Sequence, residues 1–197
     1  MALNSLSDSR DVRFALFEAI EVQNNNKYEA FADFDRDTFE SVIDLAEQIS
    51  VEQIKPTSAE GDKEGCVWNP DTKAVKIPSC YFGPLNAFYE AGFYGMGDDV
   101  EIGGMGMPQS VFAACMEYVM AANYPLFMYP GLTHGAMELI HAFGTGEQKE
   151  MYIAKMMSGE WGGTMCLTEP EAGSDVGNLK TKAVKQADGT YKITGQK

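Results

Sequence analysis

Two features of these 197 residues predict an α+β chain: an N-terminal all-α helical bundle, then the start of an antiparallel β-domain. Up to about residue 158, apolar residues recur every three or four positions between glycine and proline breaks, as in packed helices. From Trp161 the period shortens to two. Tyr191 and Ile193 alternate with Lys192 and Thr194, Val184 lies among Lys182 and Lys185, and Ala187-Asp188-Gly189-Thr190 forms a tight turn between the two runs. The expected organisation is an extension over 1–35, a helical domain over 36–158 and the first part of a β-domain over 159–197.

Taken in order, residues 1–9 are polar and read as loose. Val12, Ala15, Leu16 and Ala19 stand at helical spacing within a short helix from Asp11 to Ile20, which Gln23-Asn24-Asn25-Asn26 breaks. Asp35 or Asp37 can cap a second helix running through Gln53, with Glu40 in its first turn and Phe39, Val42, Ile43, Ala46 and Ile49 on one face. Pro56 closes it, and Thr57 to Gly65 reads as an acidic loop. Cys66 to Trp68 and Ala74 to Ile77 flank Asn69-Pro70-Asp71-Thr72 as a hairpin.

Pro78 and Ser79 start a helix to about Ala91, and the six glycines between Gly92 and Met107 make that stretch a loop. Gly103-Gly104-Met105-Gly106 hints at a phosphate loop. No suitable strand precedes it and the last glycine of the dinucleotide pattern is missing, so the hint is discounted. After Pro108, Ser110 to Asn123 is apolar nearly all round and is expected in the middle of the bundle. Pro125 and Pro130 are expected to interrupt the chain before a helix from Leu132 to Phe143, and the last helix covers Glu147 to Met157.

Composition excludes several classes. A formal charge of −14 leaves no basic stripe for nucleic acid. No apolar run is long enough to span a membrane, and the start lacks a signal peptide, so a cytoplasmic protein is expected. Cys66, Cys80, Cys115 and Cys166 form no C-x-x-C pair and read as buried reduced thiols. His134 and His141 are too few for a dedicated metal site, and their spacing suits a helix face.

The stretch with most chemistry is Met165-Cys166-Leu167-Thr168-Glu169-Pro170-Glu171-Ala172-Gly173-Ser174-Asp175. Trp161 to Leu167 reads as a buried strand opening after Gly162 and Gly163, and Pro170 stops its pairing. Free N–H groups and the hydroxyls of Thr168 and Ser174 would then lie at the strand's end, as a site for an anionic or carbonyl-rich cofactor does. A polar turn between two strands, with no site at all, accounts for the same residues.

Together with Thr181-Lys182-Ala183 and Tyr191-Lys192-Ile193-Thr194-Gly195-Gln196-Lys197, this stretch resembles the flavin-binding signature of acyl-CoA dehydrogenases. Gly103-Gly104-Met105-Gly106 resembles the loop before their long central helix, and Phe143 to Lys149 their segment before the last N-domain helix. Asp11 to Glu18 and Gly61 to Cys66 are similar to the extension of the larger branch that includes 3-methylmercaptopropionyl-CoA dehydrogenases.

The resemblance implies FAD as cofactor. Met165, Leu167 and Thr168 would face the isoalloxazine ring, and Gly173 and Ser174 would lie by the pyrophosphate, with Ser174 also by the acyl-CoA substrate. Many members carry an aromatic residue where Met165 stands. An electron-transferring flavoprotein as acceptor and a homo-oligomer when full length are further implications. The family's catalytic carboxylate lies in a C-terminal helical domain, so no catalytic residue is expected within this chain. The β-domain would be truncated, and the fragment alone would be inactive and retain FAD poorly. Two other readings compete: a non-catalytic helical interaction module, and a DNA-damage-response relative of the same family.

Overall fold

The structure is a computed structural model that describes residues 4–197. It divides into two compact units between Gly163 and Thr164. The first is helical: α1 (Ser9–Arg13), α2 (Arg36–Ile49), α3 (Thr57–Glu64), α4 (Phe82–Glu90), α5 (Gln109–Ala122), α6 (Tyr124–Phe143) and α7 (Gly146–Met157), with a small hairpin of β1 (Val67–Trp68) and β2 (Val75–Lys76). The second holds the antiparallel hairpin of β3 (Lys182–Lys185) and β4 (Tyr191–Thr194), in which Ala183 faces Ile193 and Val184 faces Lys192.

The expected looseness of residues 1–9 falls partly on 1–3, outside the described residues. From Asn4 onward the start is tied down. The Asn4 amide nitrogen donates to Glu47 Oε1 at 2.8 Å and to Ser9 Oγ at 3.0 Å, and Asp8 caps α1 by accepting from the Arg10 amide. The first helix is shorter than expected and passes into a π-helical turn over Phe14–Ala19, which still buries Leu16 and Phe17.

At α2 the cap is Asp35, whose carboxylate accepts from the Thr38 amide at 2.8 Å and its hydroxyl at 2.7 Å. Glu40 therefore lies beyond the first turn and pairs instead with Arg13 at 2.9 Å and Arg36 at 3.2 Å. Phe39, Ile43, Ala46 and Ile49 form the buried face as expected, and π-helical turns over Ser50–Ile54 prolong it. α2 packs on α5 and α6 on α7.

Three expectations fail in the helical unit. Thr57–Glu64 is a helix rather than a loop. Its sequence carries no apolar period and a mid-helix glycine, so packing decides: a Cβ at Gly61 would sit 2.3 Å from the Tyr81 ring, and only glycine admits that contact. Pro130 does not interrupt the chain but lies buried within the continuous helix α6, with Pro125 in its first turn. And α5 is not buried all round. Val111, Cys115, Met116, Tyr118, Val119 and Ala122 face the core, while Ala113, Glu117 and Ala121 form a solvent stripe of one small face. Full burial of each large core side chain stabilises by about 1.5–3 kcal/mol.

The four cysteines are free as expected, but only Cys115 is buried, where burial pushes its thiol up to about 12. Cys66 and Cys166 are exposed. Among the described residues no helix is long and apolar enough to cross a membrane.

Candidate functional site

The Met165–Asp175 stretch is built around one carboxylate. Glu169 and Ala172 exchange two backbone hydrogen bonds, each 3.1 Å, which closes the Pro170-Glu171 turn. The Glu169 side chain turns inward and accepts from the amides of Lys180 at 2.7 Å and Thr181 at 3.0 Å. Lys197 Nζ pairs with it at 3.1 Å. The Thr181 side chain, these amides and the ammonium hold the carboxyl down to about 2. Glu171 points out to solvent and pairs with Lys180 at 2.8 Å, an exposed contact of little energetic weight.

With Glu169 and Ala172 buried, the turn faces its other residues outward. Met165, Leu167, Thr168, Gly173 and Ser174 are all exposed. A Cβ at Gly173 would meet only the Thr168 methyl, at 4.0 Å, so the approach to this backbone is open. The Leu167 carbonyl is already taken by Lys197 Nζ at 2.9 Å. The expected buried strand over Trp161–Leu167 is absent: these residues join no strand ladder, and 164–168 are exposed. Gly162 and Gly163 do different work. A Cβ at Gly163 would lie 2.5 Å from the Ala136 Cβ, so the glycine lets the backbone rest on α6. There the Gly163 amide donates to Thr133 Oγ1 at 3.0 Å, and that hydroxyl donates to the Tyr129 carbonyl at 2.7 Å.

The helical unit has its own hollow. Phe88, Tyr94, Phe112, Met116, Phe127 and Met128, with His134 and the glycine at 131, line an apolar cavity of about 270 Å³ between α4, α5 and α6. Tyr94, near the start of the glycine-rich loop, adds to its lining. That loop spends its N–H groups on itself: Met105 donates to Gly95, Gly106 to Asp98 and Met107 to Met96, each at 2.9 Å. It therefore offers no phosphate cradle, as the discounted motif implied. Asp98, at 6% side-chain exposure, receives His134 Nε2 at 2.8 and 3.1 Å. Sequence reading passed over the cavity and this pair because their residues meet only through the packing of three helices and a loop.

Comparison with known proteins agrees with this architecture. Residues 36–160 match the family of acyl-CoA dehydrogenase N-terminal domains. A broad-specificity linear acyl-CoA dehydrogenase of Mycobacterium tuberculosis is 38% identical over 191 residues, 97% of this chain and 31% of the relative. The 3-methylmercaptopropionyl-CoA dehydrogenase of Ruegeria pomeroyi is 34% identical over 188 residues, covering 95% of this chain and 32% of its own length. Among solved structures, glutaryl-CoA dehydrogenase from Mycobacterium smegmatis superposes with a TM-score of 0.67 at 25% identity, over 83% of this chain and 39% of that one.

A helical unit of this topology is the N-terminal domain of the acyl-CoA dehydrogenase fold. The chain belongs to the acyl-CoA dehydrogenase family. It spans about a third of the length of the curated relatives it matches.

Proposed function

We propose that this chain is the N-terminal part of an FAD-dependent acyl-CoA dehydrogenase that oxidises an acyl-CoA thioester to its 2,3-enoyl form. The observation that carries the reading is the orientation of the Met165–Asp175 turn, fixed from behind by Glu169 while Thr168, Gly173 and Ser174 stay open. FAD fits these donors. The Thr168 hydroxyl and the backbone at Met165 and Leu167 suit the ring's polar edge, and Gly173 with Ser174 suits the pyrophosphate and the acyl-CoA. When bound, the flavin supplies the acceptor for the substrate's β-hydride.

The remaining tasks fall to the protein. The apolar cavity between α4, α5 and α6 takes the acyl tail and excludes water from it. The α-proton goes to a carboxylate outside this chain. Glu169 is unsuited to that task, because both its oxygens are engaged and its carboxyl, held at about 2, is too weak a base. The 36–158 and 159–197 divisions act as helical wall and first β segment. In the cell the enzyme is a cytoplasmic homo-oligomer that passes electrons to an electron-transferring flavoprotein, and the 197 residues alone are inactive and hold FAD weakly.

The test is an acyl-CoA titration of the gene product that carries this chain, followed by flavin absorbance. Bleaching of the oxidised band supports the reading, and an unchanged spectrum overturns it. Near-stoichiometric flavin in the isolated 197 residues would overturn the claim of weak retention.

A further inference from the structure

Asp98, His134 and Glu138 each present a ligand atom within 4.8 Å of the other two. We propose that this cluster binds one divalent transition-metal ion of the zinc type through one imidazole and two carboxylates. All three residues belong to the helical unit, and His134 also lines the apolar cavity, but the test below reads metal binding directly and does not depend on the flavin reading.

The geometry suits such an ion in three respects. His134 and Glu138 are one turn apart on α6, so both project from one face. Asp98 comes from a second element that is already rigid: its amide donates to Gly95 at 3.2 Å, its carbonyl accepts from Gly106 at 2.9 Å, and a Cβ at Gly104 would lie 2.2 Å from that carbonyl. A ligand held this way needs little ordering when the ion arrives. The set mixes imidazole and carboxylate, which zinc accepts with bonds of about 2.0–2.2 Å.

Two observations separate a metal site from a plain His–Asp hydrogen bond. Glu138 is exposed and makes no ion pair or hydrogen bond among the described residues, so a His–Asp pair gives it no part. Two carboxylates facing one imidazole also leave negative charge that a dication neutralises. The second observation is Tyr94. Its ring packs edge-on to His134 at 5.6 Å, and its hydroxyl is buried without a partner. Three protein ligands leave a fourth position for water, and a bound water is a partner the hydroxyl lacks. Admitting the ion asks the 2.8 Å His134–Asp98 separation to widen to about 3.3 Å, the span across a tetrahedral zinc.

The experiment is a cobalt(II) titration of the chelator-treated 197-residue chain, followed by visible absorption and by competition with zinc(II). The expected result is one saturable equivalent with a tetrahedral ligand-field band that zinc removes. Histidine proton NMR adds an internal control, since zinc should move the ring signals of His134 and leave those of His141. Glu138→Gln, an exposed change that should not affect folding, is expected to weaken binding about tenfold or more, and His134→Gln to abolish the equivalent. Glu150→Gln on exposed α7 should change nothing. Absence of a saturable equivalent, or binding that survives both His134→Gln and Glu138→Gln unaltered, overturns the proposal.

Discussion

The Thr133 hydroxyl both receives the Gly163 amide at 3.0 Å and gives its proton to the Tyr129 carbonyl at 2.7 Å. One buried side chain on α6 thus secures the backbone that leaves α7, immediately before the turn that carries Thr168. Thr133→Val keeps the shape and removes both bonds, leaving the Gly163 amide unpaired. The expected cost is about 1–3 kcal/mol, read as a lowered denaturant midpoint. Thr133→Ser should recover most of it. Equal stability of the valine and serine variants would show that the hydroxyl contributes nothing.

Asn123 holds a comparable junction between α5 and α6. Its carbonyl oxygen accepts the Leu126 amide at 3.1 Å, and its amide nitrogen donates to the Thr57 hydroxyl at 3.0 Å, all in a buried setting. Asn123→Ala removes a helix cap and leaves Thr57 short of a partner. A loss of about 1–3 kcal/mol is expected by chemical denaturation. Asn123→Asp keeps the cap and should cost less at α6.

Two glycines should respond with opposite sign. Gly135 lies in the middle of α6 with nothing within 4 Å of where a Cβ would sit, so Gly135→Ala should stabilise by about 0.4–1 kcal/mol through reduced freedom of the unfolded chain. Gly104→Ala would drive a methyl to 2.2 Å from the Asp98 carbonyl and should cost about 1–3 kcal/mol. Thermal midpoints of the two variants against the parent chain give both signs at once.

Acid should loosen the second unit. The Glu169 carboxyl sits at about 2, below the ordinary carboxylate value of about 4.3, so the folded form prefers it ionised. That contribution is complete above the ordinary value and is lost as pH falls from there toward 2. Asp188 is lowered too, first by the Thr190 hydroxyl and then by its amide, and adds to the same trend at the hairpin turn. The Lys180 and Thr181 amide resonances should shift through this window, and Glu169→Gln should flatten their response. Amides that titrate identically in the variant would contradict the assignment.

If the cavity takes an acyl tail, its depth sets chain length. Gly131 lines it, and a Cβ there would touch the Phe127 ring at 3.1 Å. Gly131→Val in the flavin-loaded enzyme should lower kcat/KM for long acyl-CoAs by about tenfold relative to short ones. A uniform loss across chain lengths would place the tail elsewhere.

What could be read from the chain alone followed the strength of the local signal. The α2 face, an acidic cap at Asp35 or Asp37 and both hairpins were legible because periodicity or turn chemistry lay within a few neighbouring residues. Thr57–Glu64 was not, since its helix depends on Gly61 admitting Tyr81. The glycine pair before Thr164 looked like a strand's opening, but Gly163 rests on Ala136, a contact that no local pattern reveals. Pro130 misled in the other direction, because α6 accommodates a proline that a short window treats as a stop. Of the residues expected to hold a cofactor, Thr168, Gly173 and Ser174 were named from a motif, and the fold leaves them exposed. The partners of Glu169 at Lys180, Thr181 and Lys197 emerge only once the chain is folded.

Two methionine methyls lean on glycines of the loop between α4 and α5: Met157 would meet a Cβ at Gly95 at 2.3 Å, and Met105 one at Gly92 at 2.1 Å. Such seats fit the flexible, apolar end of a thioether side chain. Conversion of either sulphur to a sulphoxide would put a polar, bulkier group against bare backbone. Oxidative ageing of this protein should therefore show itself first as a displaced loop, well before the helices behind it give way.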